Sequence, residues 1–147
     1  MKANASAVLG LVLLLIVAGI VLYFGNGRQG TVSDTPAFQF ETVTTPAAQA
    51  QGLGGRSVIP HDYGMLFVFN KPDRYGFWMK DMLVPIDIIW LSDSGAVLGI
   101  IGSLSPQTYP RVFYPPEPVR YVLETRAGEA RAQGWSIGSV IVLPLQK

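Results

Sequence analysis

Four charged side chains stand where a solvated loop would not require them: Arg56, Lys80, Asp87 and Glu124. Asp87 lies inside Ile86-Asp87-Ile88-Ile89-Trp90-Leu91. In an extended strand it shares a face with Ile89 and Leu91. A bare carboxylate there is costly, so Asp87 needs a partner. Lys80 is the local candidate, because a hairpin closing between Asp81 and Ile86 would set Lys80 and Asp87 roughly opposite each other. Such a pair either fixes hairpin register as an ion pair or faces a ligand. Arg56 is either a surface guanidinium or an inward one meeting Asp87 or Glu124. Asp87 and Glu124 could also form a carboxylate pair of the kind glycosidases use, although their apolar neighbours and the nearby basic residues fit ion pairing better. Trp78 and Tyr121, with Met79, would line a small pocket or groove near these charges. The candidate ligand-binding set is therefore Arg56, Trp78, Lys80, Asp87, Tyr121 and Glu124, and no residue is assigned a catalytic role.

Other chemistries find little in the chain. His61 is the only histidine, and in extended structure the adjacent Asp62 points the opposite way, so the two are not a ready-made dyad. One histidine and no cysteine exclude a histidine-rich or thiolate metal site, thiol catalysis and a disulfide framework. No loop clusters the carboxylates that a calcium or magnesium site needs. Gly52-Leu53-Gly54-Gly55 lacks the Lys-Ser/Thr pair of a phosphate loop. No serine has a credible base beside it. The expectation is a domain with no cofactor and no metal. The 11 basic and 10 acidic residues become balanced once Lys2 is set aside, and they are scattered, which argues against a nucleic-acid partner.

The elements that must position these residues are mostly strands. Residues 38–43 alternate apolar and polar and predict the first strand. Thr45 as N-cap, Pro46 at the first helical position and Gly52 as a stop predict a short helix near 46–52. Residues 64–69 read as a strand buried on both faces, followed by a turn at 70–74. Residues 77–80, 86–91, 95–101, 120–124 and 140–145 are further strands, with a second short helix near 126–133 capped by Thr125. Residues 104–118, rich in proline, form a stiff excursion that covers a sheet edge or barrel end, or binds. The predicted architecture is mainly β, an antiparallel sandwich or part-closed barrel with two short helices.

A set of short motifs adds a family resemblance. Gly52-Leu53 with Arg56, Pro60, Gly64-Met65-Leu66-Phe67 with Phe69, Phe77-Trp78-Met79-Lys80, Pro85-Ile86-Asp87-Ile88-Ile89, Tyr121-Val122-Leu123-Glu124, Ala127-Gly128, Gly134 and Gly138 follow one another in order. From about Phe40 onward the chain resembles the bacterial and archaeal family known as domain of unknown function 192. It departs from that pattern at Gly54, Met82 and Ser139. The resemblance implies a small, mainly β domain and no established activity.

The N-terminus has a different character. Residues 7–24 are uncharged and mostly apolar, about 27 Å long as a helix and enough for a bilayer core. A cleaved signal peptide is the rival reading. The run exceeds a usual signal core, and Tyr23-Phe24 suits an interfacial anchor. The expected organisation is a membrane anchor over 1–24, a flexible tether over 25–37 and a globular β domain over 38–147. The chain would be single-pass, with its C-terminal domain outside the cytoplasm. The function expected is a non-catalytic module binding a small ligand or a protein. The alternative is a small-molecule hydrolase or other enzyme built on Arg56, Lys80, Asp87 and Glu124.

Overall fold

The computed structural model describes residues 37–144. The anchor expected over 1–24 and nearly all of the tether lie outside the described residues. Among the described residues no helix is long and apolar enough to cross a membrane. The elements are β1 (Gln39–Val43), α1 (Pro46–Gln51), β2 (Tyr63–Asp73), β3 (Phe77–Trp78), β4 (Ile86–Leu91), β5 (Val97–Leu104), a 3-10 turn (Pro106–Thr108), β6 (Val112–Phe113), β7 (Val119–Arg126) and α2 (Glu129–Ala132).

Five strands form one sheet in the order β1-β2-β7-β4-β5, and β3 pairs with β6 in a separate two-stranded sheet. The content is mainly β with two short helices, as the sequence predicts. The large sheet is mixed and open, which corrects the expectation of an antiparallel sandwich or part-closed barrel. The cause is β1, which runs parallel to β2 with Gln39 opposite Tyr63. Parallel neighbours need a crossover, and α1 with the loop after it supplies one.

Both faces of the sheet are covered. Met65, Phe67, Ile86, Ile88, Trp90 and Val122 pack on one side with Leu53, Phe77 and Met79. Leu66, Ile89, Leu91 and Leu123 pack on the other with Ala130 and Ile141. Period-two alternation along each strand produces the division. All six residues of β4 are buried, which accounts for its nearly continuous apolar sequence. The proline-rich segment lends β6 to β3. Its Pro116 lies where a Cβ on Gly99 would be 3.4 Å from the ring, so the segment covers the sheet at β5.

Four local expectations change. Strand β2 continues to Asp73, through most of the turn expected over 70–74. Residues 77–80 and 86–91 do not form a hairpin, because β3 pairs with β6 while β4 lies between β7 and β5. The strand expected over 140–145 is reduced to one bridge, Ala96 with Val140. Thr125 does not cap α2: it is buried within β7, and Gly128 is the N-cap, with no cap bond from a side chain of its own. By contrast α1 starts as predicted, its Thr45 hydroxyl accepting from the Ala48 N–H at 3.3 Å.

Candidate functional site

Glu124 sits on the first of these faces. Its cross-strand neighbours are Met65 on β2 and Ile88 on β4, and both belong to the apolar cluster beneath α1. The side chain is 5% exposed. It forms part of the wall of a cleft of about 210 Å³, with Gln49, Gly52 and Leu53 from α1 and its cap and Phe67 and Phe69 from β2. Tyr75, Phe77, Trp78, Lys80 and Met82 also line it. The rings interlock: Phe69 and Tyr75 stack with centroids 3.6 Å apart, and Phe67 meets Phe77 edge-on at 5.1 Å.

Backbone geometry holds the cleft open above the carboxyl. Gly52 adopts φ +52°, and a Cβ there would lie 3.1 Å from Glu124 Oε2. Glycine thus satisfies a left-handed turn and a close approach at one position. Gly55 N–H donates to the Asp81 carbonyl at 2.8 Å, tying the loop after α1 to the connection that carries Lys80.

Glu124 Oε2 is buried and has no hydrogen-bond partner among the described residues. Burial pushes the Glu124 carboxyl up to about 7, against the lowering effects of the Leu53 backbone N–H and the positive charge of Arg56. A carboxyl of this kind can accept a hydrogen bond or a charge partner when ionised, and donate when protonated. No serine, threonine or histidine joins it in the wall of the cleft.

A scan against family models matches residues 29–143 to DUF192, described as Uncharacterized ACR. The chain belongs to this family. Two solved structures resemble this DUF192 domain. One is a Sinorhizobium meliloti 1021 protein provisionally described as a transcription regulator, with 32% identity over 67% of this chain and 76% of that one, and a TM-score of 0.64. The other is a protein of unknown function from Novosphingobium aromaticivorans DSM 12444, with 33% identity over 69% of this chain and 71% of that one, and a TM-score of 0.65. Among curated proteins no match was found.

The six sequence-derived candidates separate in the DUF192 domain. Trp78, Lys80 and Glu124 line the cleft. Asp87 does not meet Lys80, which corrects the expected ion pair. Its Oδ1 accepts from the N–H groups of Ser103 at 2.7 Å and Gly128 at 3.0 Å, and its Oδ2 from Ala130 at 2.9 Å. Asp87 opposes Thr125 across the strands while Glu124 opposes Ile88, so the two carboxylates occupy opposite faces of the sheet. Asp87 thereby supplies the cap that α2 lacks, accepting from the N–H groups at its start. Tyr121 shares that far face, packed in the second cluster.

Arg56 reaches neither carboxylate. Its guanidinium donates to Glu41 Oε1 and Oε2 at 2.9 and 3.0 Å and to the Tyr63 hydroxyl at 2.6 Å. Tyr63 in turn donates to Glu41. The hydroxyl of Tyr63 is pushed up to about 12 by burial and by its bond to Glu41. The bond from Tyr63, followed by that from Arg56, lowers the Glu41 carboxyl. This triad ties the loop after α1 to β1 and β2. The expected convergence of Arg56, Lys80, Asp87 and Glu124 is replaced by three separate arrangements.

A further buried acid escaped sequence reasoning. Glu129 is 1% exposed and accepts from Arg126 Nε at 2.9 Å, Gln133 Nε2 at 2.9 Å and the Asp62 N–H at 3.2 Å. His61 lies on the outside of this cluster, with Nε2 3.0 Å from Arg126 Nη1. The sequence offers only an acid in the first turn of a short helix, and nothing in that pattern foretells partners from another loop.

Proposed function

We propose that this protein is a membrane-anchored, extracytoplasmic module that holds a small ligand in the cleft over Glu124 without transforming it. One observation carries the reading: a buried carboxyl, one oxygen of which has no hydrogen-bond partner among the described residues, forms part of the wall of a cleft rich in aromatic side chains. Apolar pockets with a few convergent polar groups are the usual form of small-molecule sites. The anchor rests on the uncharged run at residues 7–24, which ends in the aromatic pair Tyr23-Phe24, and the outward orientation on Lys2 and the amino terminus set against Arg28. The balance of 11 basic and 10 acidic residues gives no support for carrying transcriptional regulation over from the Sinorhizobium protein.

An enzyme is the second reading, because a carboxyl near 7 is suited to general acid–base work at neutral pH. Its support is narrower than the sequence suggested. Asp87 is committed to backbone donors and Arg56 to Glu41 and Tyr63, leaving Glu124 and Lys80. A thermal-shift screen of the protein against a metabolite and glycan library tests the binding reading, with Ala50→Trp as a blocked-cleft control on an exposed helical position. Ligands that raise the melting temperature of the wild type and not of the variant are expected. An empty screen, or ligands acting equally on both, counts against it. Turnover of a bound compound would favour the enzyme.

A further inference from the structure

The cleft is unequal in its chemistry. Its buried floor carries an acid, its walls are aromatic, and the cation in its lining, Lys80, belongs to an exposed residue. Phe67, Phe69, Tyr75, Phe77 and Trp78 line the same cleft as Glu124. Aromatic faces attract cations, most strongly where water is excluded. Glu124 Oε2 lacks a donor, and an ionised carboxylate in such a place needs both a hydrogen bond and a countercharge. Arg56 is too occupied to provide them, being held by Glu41 and Tyr63. Lys80 forms no ion pair among the described residues.

We infer that the ligand is a small organic amine, bound as its ammonium ion with N–H donated to the Glu124 carboxyl and its apolar body against Phe67, Phe69, Phe77 and Trp78. This inference rests on the cleft being a binding site and names the class of its occupant. A carboxylate or phosphate ligand meets the wrong charge at the floor. A neutral alcohol satisfies the hydrogen bond and leaves the charge uncompensated. The volume of about 210 Å³ suits a small body, a single ring or a short aliphatic chain. The other groups bearing on Glu124 are the Arg56 charge, Lys80 beyond β3 and the Tyr75 phenol between β2 and β3. None of them supplies the missing donor in the structure. Because the free carboxyl sits near 7, an arriving ammonium draws it into the ionised form.

The test is calorimetric titration of the full chain in mild detergent with three probes of one shape: phenethylamine, 2-phenylethanol and phenylacetate. Phenethylamine is expected to bind at least tenfold more tightly than the other two. Its affinity should rise between pH 6 and pH 8, whereas that of the alcohol should stay level. Glu124→Gln should weaken phenethylamine at least tenfold and leave the alcohol within threefold. Lys80→Met should preserve or tighten amine binding, since it removes a like charge. The pH arm uses the wild type alone, so it stands even if a variant folds poorly. Equal or tighter binding of the alcohol or carboxylate overturns the amine and leaves the cleft as a binding site. Failure of all three probes, together with an empty library screen, overturns both.

Discussion

Replacing Glu124 by glutamine removes a titration that the fold holds far from its ordinary range. The Glu124 carboxyl is raised from 4.5 to about 7, chiefly by burial. Between those values the folded chain binds a proton that the unfolded chain has released. Stability therefore falls as pH rises from about 4.5 to about 7 and levels off above that, the reverse of a salt-bridged acid. A shift of this size corresponds to about 3 kcal/mol. Glutamine keeps the shape and has no proton to lose. Urea unfolding of wild type and Glu124→Gln at intervals from pH 4.5 to pH 8 isolates the effect, because all other groups are common to both. Similar stabilities near pH 4.5 and a variant more stable by about 3 kcal/mol at pH 8 are expected. This would be a case of a site held at a cost to stability. Curves that stay parallel across the range would show that Glu124 is not a buried acid near 7.

Asp87→Ala strands the N–H groups of Ser103, Gly128 and Ala130, and the chain should lose about 3–5 kcal/mol in chemical denaturation. Adding Lys80→Met should restore none of it; recovery would revive the ion pair. Arg56→Ala removes a bridge whose partners are 35% and 42% exposed, so its loss of charge pairing should be about 1 kcal/mol or less and should shrink further in salt. Gly52→Ala forces a side chain into φ +52° beside Glu124, and the melting temperature should fall by an amount equivalent to about 1–2 kcal/mol. N-terminal sequencing of membrane fractions should find residues 7–24 retained; a mature chain beginning near residue 25–30 contradicts the anchor.

Much of the local structure was legible because single residues enforce it. Thr45-Pro46 and Gly52 bracket α1, and Ile86–Leu91 announces a strand buried on both faces. The face of Asp87 followed from alternation alone. Its partner did not, because backbone N–H groups at Ser103, Gly128 and Ala130 carry no signature in side-chain chemistry. The hairpin expectation failed for a related reason. Strand β3 spans only Phe77–Trp78, and its partner β6 comes from the distant proline-rich segment. The place of Glu124 depends on the register of β7 between β2 and β4, which period-two patterning leaves open when both faces are apolar. Glu41 and Tyr63 were invisible for want of any spacing that joins β1 to β2. Thus half of the six candidates, Trp78, Lys80 and Glu124, line one cleft, while Arg56, Asp87 and Tyr121, grouped with them from the sequence, lie elsewhere.

The most direct measurement of the central claim, that the cleft over Glu124 is a ligand site, is amide-resolved NMR of the protein titrated with phenethylamine. Saturable shifts are expected at Gly52, Leu53, Phe69, Trp78 and Glu124, with Asp87, Tyr121 and the Arg56–Glu41–Tyr63 triad little changed. Shifts scattered over the surface, or gathered around residues 93–95 and 140–143 at the far end of the sheet, would contradict it.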